Sequence, residues 1–462
     1  IEFTGAEVRR ANYQGDVGLH VAKAILGMKL VLKDFPQSMP KEEDMPSKKA
    51  AWLGWCYSLG NGSDFHAQYI NVPQGLEYFR RLIEERNHWV ESGELEKINA
   101  IVYEQSGVAT ELFSKGEIKR LYIKGRKWSL EYFKTIYKRL GTKFNRYYFE
   151  SEVEKVGFNI VKKGLKEGIF QKSQGAVIFP GGKYGLHDRV FISSQNLPTY
   201  EAKELGLAPT KYKDFKYDLS VIVTGNEITD YFKVVLEAMD KVYPKLRAKT
   251  KHITHGMVRL PEGKMSSRTG NIITAESLLD EVRLRVFKVM ETSTTVFLKK
   301  DREEIAEMIA VGAVKYSRLR VSLGKDIVFD FEKSLSLDGD SGPYLQYTYA
   351  RCKSILRKAE KLSLAKLKLS PAKFSIEEMA LLRLLYRFPE VVKEAAEKFS
   401  PNLVASFVFE VAQAYNNFYN THRVLQAKTQ EQKQFRLLLT AATAQIIQNS
   451  LHLLGIKTLE RM

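Results

Sequence analysis

Cysteine is nearly absent from this sequence: the 462 residues contain two, Cys56 and Cys352, far apart and without metal-binding spacing. That excludes a disulfide framework and a Cys-ligated zinc site, and it suits a reducing compartment. The eight histidines form no His-Glu-x-x-His pattern, and no Ser/His/Asp arrangement stands out. No apolar run approaches the roughly 18 residues of a transmembrane helix. The first residues, IEFTGAEVRRANYQGD, do not begin with Met and lack the charged-then-apolar layout of a secretion signal. A Walker-type Gly-x-x-x-x-Gly-Lys-Ser/Thr segment is missing too, so a P-loop is not supported. No internal repeat is visible.

Acidic residues are also in short supply. Lys plus Arg number 72 against 54 Asp plus Glu, a net charge of +18. Such a surplus suits a polyanionic partner, most often nucleic acid, although an unspecialised basic protein has the same composition. Core material is ample, with 44% hydrophobic residues, 23 Tyr and 25 Phe. A chain this long divides into two to four domains.

The first part of the chain alternates strands and helices. Residues 6–13 (AEVRRANY) read as a strand and 19–28 (LHVAKAILGM) as a helix, with a turn at Asp16 and Gly18. The proline-rich, charged stretch 35–49 suggests an exposed loop or lid, and 73–138 is helical and strongly charged. Residues 144–149 and 176–179 read as strands flanking a helix over 150–168. DLSVIVTG (218–225) predicts a buried strand, followed by a helix over 230–241. Strand, glycine turn and helix make the doubly wound unit, which places ligands at the strand's C-terminal end. Beyond residue 275 the pattern is helical, with a lysine-rich linker or hairpin at 359–375. In the tail, Leu381, Leu384, Leu385 and Phe388, then Phe407, Val411, Tyr415, Phe418 and Tyr419, recur at helical spacing.

Four stretches could carry chemistry. GKMSSRTGN (263–271) puts Lys264 between glycine and serines, where it could swing onto a triphosphate; an ordinary surface turn has the same composition. In PTYEAKE (198–204), Tyr200 and Glu204 lie one helical turn apart, a phenol and carboxylate suited to a guanidinium or to a plain structural contact. In VTGNEITDYF (223–232), Asn226 and Glu227 follow the strand end, as ligand contacts or as a polar turn capping the next helix with Asn226 or Thr229. In LSLDGDSGPYLQYTYAR (335–351), Tyr344, Tyr347 and Arg351 form either an RNA-facing stripe or core. His255, just before the lysine loop, reads as a buried, hydrogen-bonded histidine.

These residues fit a known family. KMSSR followed by Gly-Asn, preceded by HGMVRLPEG, resembles the second signature of the class I aminoacyl-tRNA synthetases, usually Lys-Met-Ser-Lys-Ser. NYQGDVGLHVAK (12–23) resembles the Asn-x-x-Gly-Asp-x-Gly segment of the arginyl branch, and PTYEAKE its Tyr-x-x-x-Asp arginine site. Residues 325–351 and the closing LLGIKTLERM are similar to that branch as well.

The resemblance implies a fold of α/β plus all-α type. A doubly wound, Rossmann-like catalytic domain with an insertion precedes a C-terminal helical anticodon-binding bundle. The implied division is 1–75 (first half of the catalytic domain, incomplete), 76–185 (insertion), 186–285 (second half, with the KMSSR loop), 286–335 (helical link) and 336–462 (anticodon-binding domain). It implies ATP-dependent ligation of L-arginine to tRNA(Arg) through an arginyl-adenylate, with ATP and Mg²⁺ entering as substrate and no tightly bound cofactor or metal site. Lys264, Ser266 and Arg268 would be catalytic, with Lys264 on the ATP phosphates. Gly256, Met257 and Val258 would line the adenine site. Tyr200, Glu204, Asn226 and Glu227 would hold arginine. Tyr344, Tyr347, Arg351, Tyr415, Tyr419 and Met462 would touch tRNA.

A cytoplasmic monomer without membrane contact is implied. Ser267 replaces the signature's second Lys, so Arg268 would supply the charge. Glu204 stands where Asp is usual, and Ile228 where several relatives carry Gln. The early His-x-Gly-His signature has no match, so the chain is expected to lack the N-terminal part of a longer protein. Two alternatives are a catalytically inactive tRNA-binding paralogue and a class I synthetase for another amino acid.

Overall fold

The computed structural model describes residues 1–62, 75–103, 115–259, 274–291, 299–359 and 374–462. The chain forms two compact units, one built from Arg9–Thr254 and the other from Ile1–Val8 with the described residues from His255 to Met462.

In the first unit, β1 (Ala11–Gln14) leads into a helical array of α1 (Leu19–Asp34), α2 (Pro46–Asn61), α3 (Gly75–Glu91), α4 (Glu94–Val102) and α5 (Lys115–Leu140). Its core joins Ile25, Leu26, Leu59, Ile98 and Trp128, with Trp52 and Trp128 meeting edge to face at 6.1 Å. The chain then returns to the sheet as β2 (Arg146–Phe149), parallel to β1, and continues into α6 (Glu150–Lys166). An antiparallel sheet follows: β3 (Gln171–Ser173), β4 (Ala176–Phe179) and β5 (Arg189–Ile192). Next come α7 (Tyr200–Asp214), β6 (Ser220–Gly225), α8 (Thr229–Val242), α9 (Pro244–Ala248) and β7 (Thr250–His255), with β6 and β7 paired. A second core of Phe170, Phe179, Phe191, Leu205 and Val234 lies under these elements.

The other unit holds β8 (Val258–Arg259), α10 (Ala275–Glu291), α11 (Lys299–Leu319), β9 (Ile327–Val328), α12 (Phe331–Leu335), α13 (Gly342–Lys358), α14 (Ile376–Lys398), α15 (Pro401–Thr421) and α16 (Gln430–Leu453). The starts of α12, α13, α14 and α16 are capped by side chains, as the sequence dictates. Ser341 accepts from the Tyr344 N–H at 3.1 Å, and Ser375 and Glu378 form a reciprocal capping box. The tail's apolar periodicity becomes core: Leu381, Phe388, Phe407, Val411, Tyr415 and Phe418 are buried together. Among the described residues no helix is long and apolar enough to cross a membrane.

Three expectations need correction. The strand expected at 6–13 is the four-residue β1, because Arg9 stays outside it with its guanidinium 4.2 Å from the Phe215 ring centre. The strand at 218–225 forms as β6 but is not buried: Val223 is 60% exposed. A β-branched run encodes extended backbone; it does not say how many layers will cover it. Part of the 35–49 loop is helix, since α2 starts at Pro46 and Lys49 is buried, its ammonium donating to the Glu42 carbonyl at 2.7 Å. The linker at 360–373 lies outside the described residues.

Candidate active site

Side chains alternate along β1, so its two faces do different work. Asn12 and Gln14 reach the Tyr137 hydroxyl of α5, at 2.8 and 3.3 Å. Tyr13 turns to the opposite face and packs with Tyr148, Val153 and Leu207. Just past the strand, the Asp16 carboxylate accepts from the Ser151 N–H at 3.0 Å, the Ser151 hydroxyl at 2.7 Å and the Tyr122 hydroxyl at 3.0 Å, with Arg126 Nε 3.1 Å away. A carboxylate at the first turn of α6 is favoured by that helix's dipole. Asp16 thereby ties the end of β1 and the start of α6 to the body of α5.

On α7, Tyr200, Glu204, Leu207 and Lys211 follow the three-and-four spacing that sets them on one face. Tyr200 is half-exposed, whereas Glu204 is largely covered. Burial pushes the Glu204 carboxyl up to about 7 against the pull of Lys211, and Glu150 adds to the push. Among the described residues Glu204 receives no hydrogen bond or ion pair. Lys211 instead donates to Ser220 Oγ at 2.9 Å, and burial lowers its pKa.

Beside them lies an ion pair, Lys203 Nζ to Glu150 Oε2 at 2.7 Å, with side chains 2% and 7% exposed. The ammonium also sits 5.1 and 5.0 Å from the ring centres of Tyr103 and Tyr200. Burial raises the Glu150 carboxyl, and Lys203 opposes it. Two glycines fix how close α7 comes: a Cβ on Gly157 of α6 would lie 1.9 Å from the Ala202 carbonyl, and one on Gly206 would lie 2.3 Å from that of Val153. Backbone meets backbone at this crossing.

From α8, Tyr231 joins the same electrostatic neighbourhood. Burial first, then Glu204, Glu201, Tyr13 and Glu150, push its phenol well up. The expected contributors on that side, Asn226 and Glu227, occupy a short turn at the end of β6. Glu227 is exposed and folds back against Gly225. The turn does not cap α8 in the expected way: the Thr229 hydroxyl donates to the Asn226 carbonyl at 2.7 Å, and no side chain caps the helix. Sequence inspection therefore singled out Tyr200 and Glu204 but missed Tyr13, Glu150, Lys203 and Tyr231. Glu150 was discoverable, since it directly follows a strand end. So was Tyr13, inside the quoted NYQGD segment.

In the second unit, Gly256 is held against Lys325, whose carbonyl would be 2.0 Å from any Cβ there. Its own carbonyl accepts from Arg318 at 3.2 Å and faces the His255 ring nitrogen at 3.1 Å. His255 is only partly buried. The Met257 N–H donates to Asp326 Oδ1 at 2.8 Å, Arg259 pairs with the same carboxylate at 2.6 Å, and Val258 pairs with Ile327. Lys264, Ser266, Ser267 and Arg268 lie outside the described residues.

On the helical bundle, the Arg351 guanidinium donates to Asn416 Oδ1 at 2.6 Å and to the Tyr347 hydroxyl at 3.1 Å. It lies 4.8 and 5.1 Å from the Tyr347 and Tyr419 ring centres. Asn416 also donates to the Tyr344 hydroxyl at 2.8 Å. This is a partly exposed aromatic and basic patch with fixed geometry. Tyr415 does not belong to it: the side chain is 0% exposed, so it is core and cannot meet RNA. Met462 packs, partly buried, with Val286, Ala306, Ile309 and Leu459.

Comparison with known proteins identifies both halves. Residues 98–331 match the model of the catalytic domain of tRNA synthetases class I (R), and residues 345–462 match the DALR anticodon binding domain. Across the whole chain the sequence is 31% identical to the arginine–tRNA ligase of Treponema denticola, covering 74% of that protein. The chain belongs to the arginyl-tRNA synthetase family.

A second arginine–tRNA ligase, from Parabacteroides distasonis, is 29% identical over the whole chain and 75% of its own length. The arginyl-tRNA synthetase structure from Thermus thermophilus superposes with a TM-score of 0.73 at 23% identity, covering all of this chain and 77% of that one. The structure from Plasmodium falciparum gives 0.71 at 20%, covering all of this chain and 71% of that one. These two establish the fold: a class I catalytic domain with a C-terminal helical domain. The activity of this arginyl-tRNA synthetase is the ATP-dependent ligation of arginine to tRNA, and nothing in its relatives favours an inactive paralogue or another amino acid.

Proposed function

We propose that Tyr200 and Glu204 read the substrate guanidinium and that Lys264 serves the ATP phosphates. The observation that carries the first assignment is Glu204 itself. A largely covered carboxylate with a pKa pushed up to about 7, unpartnered among the described residues and one turn from a phenol, is poised for a cation. A guanidinium would restore the charged form and donate two parallel N–H bonds to it. Asn226 would close the pocket from the β6 turn, with the exposed Glu227 as its outer rim.

Chemistry then needs little from side chains beyond position and charge. The arginine carboxylate attacks the α-phosphate, the bond to pyrophosphate breaks, and arginyl-adenylate forms. The tRNA terminal ribose hydroxyl then attacks the activated carbonyl and AMP leaves. Lys264 and Arg268 would stabilise charge developing on the phosphates, and Ser266 would donate a hydrogen bond. Gly256, Met257 and Val258 would border the adenine, supported by the tight approach at Gly256 and the fixed Met257 backbone.

Mg²⁺ would enter with the incoming ATP. The domain division at 75, 185, 285 and 335, the action as a monomer and the cytoplasmic location belong to the same proposal. Tyr344, Tyr347, Arg351 and Tyr419 would contact tRNA, as would Met462, which packs separately with Val286, Ala306 and Ile309.

Two variants of the intact enzyme test the two halves separately. Glu204→Gln should raise the arginine KM roughly 30-fold, about 2 kcal/mol of lost charge pairing, with the ATP KM unchanged. Lys264→Ala should lower kcat and leave tRNA affinity alone. An unchanged arginine KM in the first, or a normal rate in the second, removes that residue from its role.

A further inference from the structure

We infer that the Tyr13 hydroxyl is a further arginine-reading group, accepting a hydrogen bond from the same guanidinium that Glu204 neutralises. The inference rests on the assignment of the Tyr200–Glu204 face made above. Its own observation is different: Tyr13 Oη is buried and, among the described residues, has no hydrogen-bond partner. Buried hydroxyls are almost always paired, and leaving one unpaired costs stability, so an orphan packed beside the Tyr200–Glu204 face is a candidate ligand contact.

Geometry directs that hydroxyl to the right place. Tyr13 leaves β1 on the face away from Asn12 and Gln14, and it packs on Leu207, which shares the α7 face of Tyr200 and Glu204. Tyr13 and Glu204 do not bond to one another, yet they interact: after burial, Glu204 is the largest influence raising the Tyr13 phenol. Two acceptor-capable groups that influence one another without bonding suit a planar fork of N–H donors. A guanidinium can give one edge to the carboxylate and a further N–H to the phenol oxygen, whereas the compact ammonium of lysine cannot span both. With its pKa raised, the phenol stays neutral and serves as an uncharged acceptor that adds no second negative charge to be buried. Tyr231 of α8 is under the same electrostatic influences.

The test is Tyr13→Phe in the intact enzyme, which keeps the ring and its packing and removes one oxygen. Steady-state aminoacylation should show the arginine KM raised about tenfold, as expected for a lost hydrogen bond to a charged group. The ATP KM should stay within about twofold, and the melting temperature should hold or rise, because the orphan hydroxyl is gone. An arginine KM within about twofold of the parent overturns the inference. A lower melting temperature with parallel loss of ATP affinity overturns it as well, marking Tyr13 as a packing residue. Glu204→Gln measured alongside separates the two failures. If its arginine KM rises while that of Tyr13→Phe does not, the pocket assignment stands and only the Tyr13 role falls.

Discussion

Replacing Lys203 with Met should weaken the first unit in a way that depends on pH. Lys203 and Glu150 are paired at 2.7 Å with side chains 2% and 7% exposed, so removing the cation leaves a carboxylate buried without its counter-charge. Breaking such a pair typically costs about 3–5 kcal/mol, whereas replacing both partners with apolar groups is often nearly neutral. For a unit of this size the single change corresponds to a fall in melting temperature of about 10 °C. Its sign with pH follows from Glu150. Burial already raises that carboxyl above its unfolded value, and Lys203 is what opposes the rise.

Without Lys203 the folded pKa climbs further, so the unfolded chain gives up the proton first. Stability then falls as pH increases from the ordinary carboxylate range through the folded value, and the loss at pH 8 should exceed that at pH 5. Tryptophan fluorescence during urea unfolding isolates the effect, because Trp52, Trp55, Trp89 and Trp128, the four in the sequence, all lie in the same unit as Lys203. Glu150→Met combined with Lys203→Met should recover most of the loss. A single-variant cost below about 1 kcal/mol, or one that does not change between pH 5 and 8, would refute the assignment of a buried, mutually dependent pair.

Two further outcomes are expected. Because the Glu204 carboxyl is pushed up to about 7 in the ligand-free protein and must ionise to hold a guanidinium, the arginine KM should increase about tenfold from pH 8 to pH 6. Glu204→Gln should flatten that profile; a flat profile in the parent would contradict the shift. On the bundle, Arg351→Ala should weaken tRNA binding and reduce the salt slope by about one, while Tyr415→Phe, a change inside the core, should leave tRNA affinity unaltered. Equal losses in the two variants would mean that the patch acts through folding and not through contact.

What could be seen in the sequence was local. Tyr200 opens α7 and shares a face with Glu204 because four residues make about one turn, and the tail's apolar rows became the bundle core for the same reason. What stayed hidden depends on separation along the chain or on depth. Lys203 and Glu150 are 53 positions apart and meet only after β3, β4 and β5 have folded back between them. Tyr415 and Tyr419 are one turn apart, with rings stacked at 6.5 Å, yet one is fully buried and the other 39% exposed. Periodicity assigns a face; it says nothing about where that face dips below the surface. The run from Val221 to Val223 misled for the same reason.

The crossing at Gly157 and Gly206 limits how this pocket can change. Where side chains set the distance between helices, a smaller or larger residue lets one helix slide, and a binding site can drift by fractions of an ångström over successive substitutions. Here main chain rests on main chain, so the spacing of α7 has already reached its minimum and any added carbon can only push it outward. The helix bearing Tyr200 and Glu204 is therefore a fixed rail. Under the proposed assignment, altered amino-acid selectivity would come from exchanging what the rail carries while both glycines stay in place.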